Sequence, residues 1–378
     1  MVTNPHLFLW RLDAMQAAKQ RSASGEPAVK PAIDRLQHDV AQSLTFQPVS
    51  VMDKEVIPPS GDKHDFMSQS PYWWPDPDSP NRLPYIRRDG EINPEVEQFD
   101  ADRMRATCSA IETLSLGWYF LDDDGAARHA VTLLRAWFID HATRMNPHLE
   151  YGQAVPGRSE GRSVGIIGTT AYCRLIDAIG LLEDSGAMAD MDRTDLLMWM
   201  KSYRDWLLHS ELGRGEANAK NNHGTWYDAQ VSAIALYTGD PRITSTIAEE
   251  AKRDRIACQI HPDGSQPHEL ARTRSNHYAI YNLRAYLTLA RLIDHTDADL
   301  WHFETDDGRS IRKAVDWLVP YALGQKSWTW QQITPFSRSE YVRIFRPALA
   351  AYRDATYQNV LDVLNADGCA AHREHLLW

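Results

Sequence analysis

Apolar residues recur at helical spacing through most of the chain after residue 100. Met104, Cys108 and Ile111 share one helical face, and the same spacing returns in later segments. These segments lie near 130–138, 165–182, 194–208, 227–237, 242–257, 276–293, 309–323 and 340–354. Each apolar stripe must be buried against another element, and alternating strand patterns are scarce. The pattern predicts an all-α protein of roughly ten or more helices.

Helices in such number can be arranged in several ways. Antiparallel pairs can close into a toroid, pack as a bundle or stack as a solenoid, and periodicity does not choose between these arrangements. Residues 1–45 also show helical periodicity, with a polar break at Ser22–Pro27. The 378 residues are enough for one large domain or two smaller ones.

Residues 46–100 form a different kind of segment, rich in Pro, Asp and Gly, with aromatic residues between them. Proline lacks the N–H donor of helices and strands, while Gly and Asp favour turns, so the composition predicts a long irregular loop. The adjacent Tyr72, Trp73 and Trp74 argue against disorder. Their flat faces suit the C–H faces of sugar rings, although they would serve equally to anchor the loop on the core.

The net charge of −11 excludes a dominant basic surface and therefore argues against a nucleic-acid partner. An acidic ligand would need a local cluster of cations. One such cluster surrounds a glycine-rich turn and contains Gln153, Arg158 and Arg162. Arginine binds carboxylates through two parallel hydrogen bonds, which suits an acidic ligand. Ion pairs with Glu150 or Glu160 are the alternative.

A second polar group stands where a loop enters an apolar helix. Asn222 and His223 precede Trp226 and Tyr227 in the stretch KNNHGTWYD at 220–228. We expect Asn222 and His223 to lie near the N-terminus of the apolar helix that follows. Free backbone N–H groups at a helix N-terminus favour an anion. A helix cap or a hydrogen-bonded core residue is the alternative.

A third polar group surrounds Arg272 and Arg274. If a helix begins by Arg274, then Arg274, Tyr278 and Tyr281 share one face at i, i+4 and i+7, with His277 beside them. That face would carry a cation and two phenols together. An exposed arginine above two core tyrosines is the alternative.

Together these segments resemble the alginate lyase superfamily, which includes polysaccharide lyase families 5 and 38. The pattern N-N-H-x-x-W stands at 221–226, and R-x-x-x-Y-x-x-Y stands at 274–281. Y-W-W-P-D-P at 72–77, P-Y-x-R-R-D-G-x-x-N-P at 84–94 and Q-A-V-P-G-x-x-x-G-R at 153–162 resemble the wider superfamily. The resemblance covers about residues 60–325.

The resemblance implies an (α/α) toroid, an incomplete α/α barrel, forming a single domain over 1–378. Residues 46–100 would be an extended loop contributing to the substrate cleft, and no cofactor or metal is expected. The implied catalytic set is Asn222, His223, Arg274 and Tyr281. The substrate-binding candidates are Tyr72, Trp73, Trp74, Gln153, Arg158, Arg162, Trp226, Tyr227, Arg272, His277 and Tyr278. One residue fewer than usual separates Arg272 from Arg274, which leaves open which arginine contacts the substrate carboxylate.

The implied activity is β-elimination of a 4-linked polyuronate, either mannuronate-rich alginate or glucuronan. The expected partner is thus an acidic polysaccharide, and neither a nucleic acid nor a membrane is expected to bind. The protein is expected to be a monomer or a dimer. The resemblance suggests a periplasmic or secreted enzyme, although the first residues lack the basic region of a signal peptide. The cysteines show no C-x-x-C spacing, and their disulfide state is open.

Two other functions fit parts of the sequence. A glycoside hydrolase on an (α/α) toroid would need two carboxylates flanking the bond, and Asp76, Asp78, Asp228 and Glu269 are available. A non-catalytic protein that binds acidic polysaccharides would keep the aromatic residues and arginines without needing Tyr281. A metal hydrolase is not indicated, because the sequence lacks H-E-x-x-H spacing.

Overall fold

The computed structural model describes residues 6–378, so residues 1–5 of the predicted helical range lie outside the described residues. The chain forms two compact units, one of residues 42–219 and one of residues 6–41 together with 220–378. The prediction of a single domain over 1–378, with 46–100 contributing to a cleft, stays a prediction.

Helices dominate both units. The helices are α1 (Leu12–Ala23), α2 (Lys30–Ser43), α3 (Ala101–Leu121), α4 (Asp124–Leu134), α5 (Tyr172–Asp184), α6 (Asp190–His209), α7 (Glu211–Ala217), α8 (Asn222–Tyr237), α9 (Pro241–Ala251), α10 (Ala257–Gln259), α11 (Pro267–Leu270), α12 (Ser275–Ile293), α13 (Ile311–Ala322), α14 (Val342–Tyr352), α15 (Ala355–Ala366) and α16 (Glu374–Leu377). The strands are β1 (Met67–Gln69), β2 (Trp73–Trp74), β3 (Ile86–Arg87) and β4 (Tyr151–Ala154).

Each predicted apolar stripe corresponds to a helix. The stripe at 165–182 begins as a 3₁₀ helix, Ser163–Thr169, before α5, and the polar break at Ser22–Pro27 separates α1 from α2. Helices α7, α10 and α11 are too short for periodicity to reveal them. Helix α15 was not predicted, although its buried residues do follow helical spacing: Tyr357, Val360, Leu361 and Leu364.

An aromatic cluster lies in the core of the unit formed by 42–219. The ring centroids of Phe138 and Trp199 are 4.8 Å apart, and those of Tyr172 and Tyr203 are 5.7 Å apart, with edge-to-face geometry in both pairs. Such pairs add to the stability that apolar burial supplies. The stretch 163–184 beside this cluster is long and apolar enough to cross a membrane by composition alone. However, 67% of its most apolar part is buried, as in a core helix.

The irregular segment 46–100 is ordered by two short sheets and a buried ion pair. Strand β1 pairs in parallel with β4, and β2 pairs antiparallel with β3. The Lys54 ammonium is fully buried, lies 3.1 Å from the Asp100 carboxylate and donates to the carbonyls of Val51 and Lys63. Burial raises the pKa of Asp100 to about 6 and lowers the pKa of Lys54, against the attraction between the two charges. The loop therefore depends on polar anchors rather than on helices.

Helix α8 lies in the core of the unit formed by residues 6–41 and 220–378, the second unit. Every residue from Gly224 to Leu236 is buried, so this helix is covered by protein on all sides. It packs most extensively against α12. Asn221 caps its N-terminus by accepting a hydrogen bond from the His223 backbone N–H at 3.3 Å. The helix therefore begins at Asn222, within the polar stretch at 220–228.

Replacing Lys54 by Met should destabilise the protein by about 3–5 kcal/mol, because it leaves the Asp100 carboxylate buried without its cation. The free energy of unfolding in urea measures the effect. Lys30→Met is the matched control. It removes an exposed pair with Asp34, which should contribute less than about 1 kcal/mol. Equal losses from the two variants would contradict a special role for the buried pair.

Candidate active site

The site candidates fall into two groups, one in each unit. The first group surrounds the beginning of α8. Asn222 is fully buried. Its backbone N–H donates to one carboxylate oxygen of Glu269 at 2.7 Å, and its side-chain amide donates to the other oxygen at 2.7 Å. His223 follows and is partly exposed. The expectation that Asn222 and His223 lie at a helix N-terminus is confirmed.

The beginning of α12 carries the second part of this group. Arg274 is the residue directly before α12, and its guanidinium Nε donates to the Thr334 hydroxyl at 3.1 Å. The Ser275 hydroxyl donates to the Gln331 carbonyl, and the Gln332 side chain accepts from the Asn276 backbone N–H. The segment 331–334 therefore fixes the start of α12. Nothing in the composition of this segment marks it as part of the site.

Tyr281 lies two turns into α12 and faces α8. Its ring centroid is 5.1 Å from that of Trp226, which lies one turn beyond His223. On its other side the His277 ring stacks on Tyr281 at 5.8 Å, with 11° between the ring planes. Tyr281 is partly exposed, whereas Trp226 is 4% exposed. The predicted catalytic residues thus all lie on, or directly before, the packed helices α8 and α12 of one unit.

The two arginines beside α12 have different surroundings. The guanidinium of Arg272 lies 3.7 Å from the ring centroid of Tyr278, a cation–π contact. Tyr278 itself is 8% exposed, so its ring mainly supports Arg272. Arg274 instead bonds to Thr334 through Nε. The geometry leaves open which arginine contacts a carboxylate.

Burial shifts the protonation of two groups beside these arginines. The pKa of Glu269 is raised to about 7 by burial, against the hydrogen bonds from Asn222 and the charges of Arg272 and His223. The pKa of His277 is lowered to about 4 by burial and by Arg274. His277 is therefore a neutral imidazole at neutral pH.

The second group lies in the unit of residues 42–219. The guanidinium carbons of Arg158 and Arg162 lie 5.1 and 5.6 Å from the Trp73 ring centroid. Arg88 lies 5.2 Å from the Trp74 ring in the same way. This cluster, with the partly exposed Tyr72, combines aromatic faces with cations. The sequence placed these residues on two distant segments, and the structure brings Trp73 together with both arginines.

Gln153 connects Arg162 to the loop. Its side-chain oxygen accepts from the Ser70 hydroxyl at 3.2 Å and from Arg162 at 3.3 Å, and its φ of 50° is left-handed. Burial lowers the pKa of Arg162, as does the nearby Arg87. Gly161 allows the turn to close, because an added Cβ there would meet the Glu150 carbonyl oxygen at 1.8 Å. The glycine-rich turn therefore permits the close backbone packing around Arg162.

Three of the four carboxylates considered for hydrolysis accept hydrogen bonds within the protein, and the fourth, Asp78, is exposed. Asp228 forms a buried ion pair with Arg255 at 2.8 Å, and Glu269 accepts both hydrogen bonds from Asn222. Asp76 accepts from the Asp78 backbone N–H within a local turn. Over residues 6–378 no group of three or more His, Cys, Asp or Glu side chains is placed to hold a metal ion. All four cysteines, at 108, 173, 258 and 369, are unpaired.

Comparisons with known proteins agree with this architecture. The alginate lyase family model matches residues 50–328. An alginate lyase from Bacteroides ovatus, solved at 1.60 Å resolution, shares 37% identity and a TM-score of 0.92, covering 99% of both chains. Alginate lyase A1-III from Sphingomonas species A1 has 14% identity and a TM-score of 0.53, covering 84% of this chain and 87% of its own. A variant of alginate lyase A1-III complexed with tetrasaccharide has 16% identity and a TM-score of 0.56, covering 88% of this chain and 84% of its own.

None of the curated proteins matches the sequence. The chain is about 60% helical and matches structures with the (α/α) toroid fold, which confirms the predicted fold class. It is a polysaccharide lyase. It belongs to the alginate lyase family, whose model spans well over half of its length.

The low pKa of His277 predicts a pH-dependent stability. Between pH 6.5 and about 4 the unfolded chain binds a proton at His277 that the folded chain does not, so the free energy of unfolding falls as the pH drops. His277→Gln should lose less stability than the native protein over this interval. Urea unfolding at pH 7 and pH 5 measures the difference. Parallel losses in both proteins would show that His277 titrates normally.

Proposed function

We propose that the protein cleaves a 4-linked polyuronate, mannuronate-rich alginate or glucuronan, by β-elimination. The observation that carries this proposal is the packing of Tyr281 on Trp226, which joins α12 to the helix that begins with Asn222 and His223. The 37% identical alginate lyase from Bacteroides ovatus supports alginate as the substrate class.

The reaction requires neutralisation of the substrate carboxylate. Elimination removes H5, which is α to that carboxylate, and an ionised carboxylate makes this proton very weakly acidic. Donors to the carboxylate stabilise the negative charge that develops as H5 leaves. We assign this role to the Asn222 amide and the Arg274 guanidinium, with His223 sharing a proton. The N-terminus of α8 adds a favourable dipole for the same charge.

Tyr281 is proposed as both base and acid. A phenolate removes H5, and the resulting phenol then protonates the O4 leaving group. The ordinary pKa of a tyrosine, about 10, must be lowered for the first step, and a nearby Arg274 or protonated His223 would do so. One group can act on both atoms because H5 and O4 lie on the same face of mannuronate and glucuronate.

In guluronate and galacturonate these two bonds point to opposite faces, so a second base is required. His223 or His277 would have to supply it. His277, neutral at physiological pH, has the correct protonation state for a base, but its ring is stacked on Tyr281. The tyrosine-centred scheme therefore favours mannuronate or glucuronate chains, which differ from each other only at C2.

Further substrate contacts are proposed for both units. In the second unit the candidates are Arg272 and three buried aromatic residues, Trp226, Tyr227 and Tyr278. In the other unit, Trp73 with Arg158 and Arg162 offers an aromatic face and two cations, which suits an anionic sugar ring. These arginines supply local positive charge in a chain of net charge −11.

A glycoside hydrolase is the weaker alternative. It needs one carboxylic acid and one carboxylate free to reach the glycosidic bond. Asp228 and Glu269 are buried, and each has a hydrogen-bonded partner within the protein. A protein that only binds acidic polysaccharides would not require Tyr281, and the variants below separate that function from catalysis.

Replacing Tyr281 by Phe should lower kcat at least about 100-fold and leave binding nearly unchanged, because only the proton-transferring hydroxyl is removed. Growth of the near-ultraviolet absorbance of unsaturated uronate measures kcat, and titration calorimetry with an oligouronate measures binding. Tyr286→Phe, a fully buried tyrosine on the same helix, is the matched control and should retain activity. Full activity of Tyr281→Phe would eliminate the proposed mechanism.

A panel of poly-mannuronate, poly-guluronate, glucuronan and hyaluronan should separate the remaining substrates. We expect the ultraviolet product from poly-mannuronate or glucuronan and little from poly-guluronate. A preference for poly-guluronate would refute the single-tyrosine scheme. New reducing ends without ultraviolet absorbance would instead identify a hydrolase.

A further inference from the structure

Glu269 is a buried carboxylate with no assigned role in the reaction. It is 1% exposed and lies on the short helix α11. Both of its oxygens accept hydrogen bonds from one residue, Asn222, through the backbone N–H and the side-chain Nδ2, each at 2.7 Å. The carboxylate also lies at the N-terminus of α8, where the helix dipole favours a negative charge.

This pair determines the direction of the Asn222 amide. Both oxygens of Glu269 accept hydrogen bonds from Asn222, so the carboxylate faces the amide nitrogen and not the amide oxygen. Turning the amide over would set the Asn222 oxygen against a Glu269 oxygen. In the observed direction one amide N–H is bound by Glu269. The second N–H and the oxygen Oδ1 remain, and Oδ1 has no hydrogen-bond partner among the residues described.

The position of Glu269 is itself fixed by a network of buried amides. The Gln266 side chain donates to the Ala279 carbonyl of α12 and accepts from Asn282. Asn282 also donates to Gln259, which accepts from the Thr225 hydroxyl of α8. The segment 259–270 is therefore bonded to both helices that carry the catalytic group.

Burying a carboxylate costs more desolvation free energy than burying an uncharged side chain of the same size. Desolvation raises the pKa of Glu269 to about 7, and only the Asn222 donors and the charges of Arg272 and His223 oppose this shift. Methionine or glutamine would pack in similar volume at lower cost. Groups with such shifts occur preferentially at functional sites.

We propose that Glu269 is a positioning residue that holds the Asn222 amide with an N–H directed to the uronate carboxylate. The inference rests on the proposed function, because it assumes the role given there to Asn222. Glu269 itself touches neither the substrate nor the transferred proton. Its effect on catalysis should therefore pass entirely through Asn222.

A double-mutant cycle tests this dependence. Glu269→Gln presents a donor to Nδ2, which favours the turned amide, and should lower kcat about 10- to 100-fold with little change in KM. In the Asn222→Ala background there is no amide to direct. The same Glu269→Gln change should then alter kcat by less than about twofold.

Asp228→Asn is the matched control. Asp228 is a buried carboxylate on α8 itself, but it pairs with Arg255 and not with Asn222. Any effect of this variant on kcat should be the same factor in the native and Asn222→Ala backgrounds, because it acts through stability. If Glu269→Gln fails to fold, Glu269→Asp keeps both acceptor oxygens one methylene shorter. It should show a smaller loss of kcat with the same dependence on Asn222.

The outcomes separate the two proposals. A Glu269→Gln variant with native kcat, or one whose loss is equal in both backgrounds, overturns the positioning role and leaves the lyase mechanism intact. Native kcat in Asn222→Ala removes the role of Asn222 and with it that of Glu269, while lyase activity stands. Failure of the native enzyme to form unsaturated product from any polyuronate overturns the proposed function, and the inference falls with it.

Discussion

The packing of α8 against α12 is the contact on which the proposed catalytic group depends. Helix α8 is buried on all sides, so its position is determined by the core of its unit rather than by solvent-facing contacts. Catalytic groups must be held to within about 0.5 Å, and side chains on rigid helices meet that requirement better than side chains on loops. Asn222 and His223 belong to the first turn of one helix, and Tyr281 projects from the other.

The same buried interface contains several polar side chains at the end nearest the catalytic group. Glu269 with Asn222, Asp228 with Arg255, and the amides of Gln259, Gln266 and Asn282 are all bonded within the protein. Each of these groups loses hydration on burial, so the unit must supply hydrogen bonds for it, although Asn222 Oδ1, Gln259 Nε2 and Asn282 Oδ1 have no partner among the described residues. This requirement makes the geometry specific, because shifting either helix would leave several polar atoms without partners.

In the other unit, a loop holds the candidate residues in place of a pair of packed helices. Its aromatic and arginine side chains come from a loop that is ordered by the Lys54–Asp100 pair, by the short β1–β4 and β2–β3 pairings and by glycines at points of close backbone approach. Trp73 is contacted by two cations, Arg158 and Arg162, from a distant segment of the chain. Local positive charge is therefore concentrated by folding, in a chain whose overall charge is negative.

The sequence alone predicted most of the longer helices, because apolar periodicity is a local signal that burial of one face requires. It also placed Asn222 and His223 near the N-terminus of a helix, since capping chemistry acts within a few residues. The face shared by Arg274, Tyr278 and Tyr281 stays a prediction, because α12 begins only at Ser275. The parallel β1–β4 pair could not be read in this way, because two- to four-residue strands carry too little pattern.

Only the tertiary structure decided which distant groups meet. Glu269 and Asn222 are 47 residues apart, and Ser275 meets Gln331 across 56 residues. Nothing in the local sequence distinguishes Glu269 from a surface carboxylate, because its burial and its raised pKa come from helices elsewhere in the chain. Long-range contacts of this kind depend on how all the elements pack together, and that packing is not encoded in any single segment.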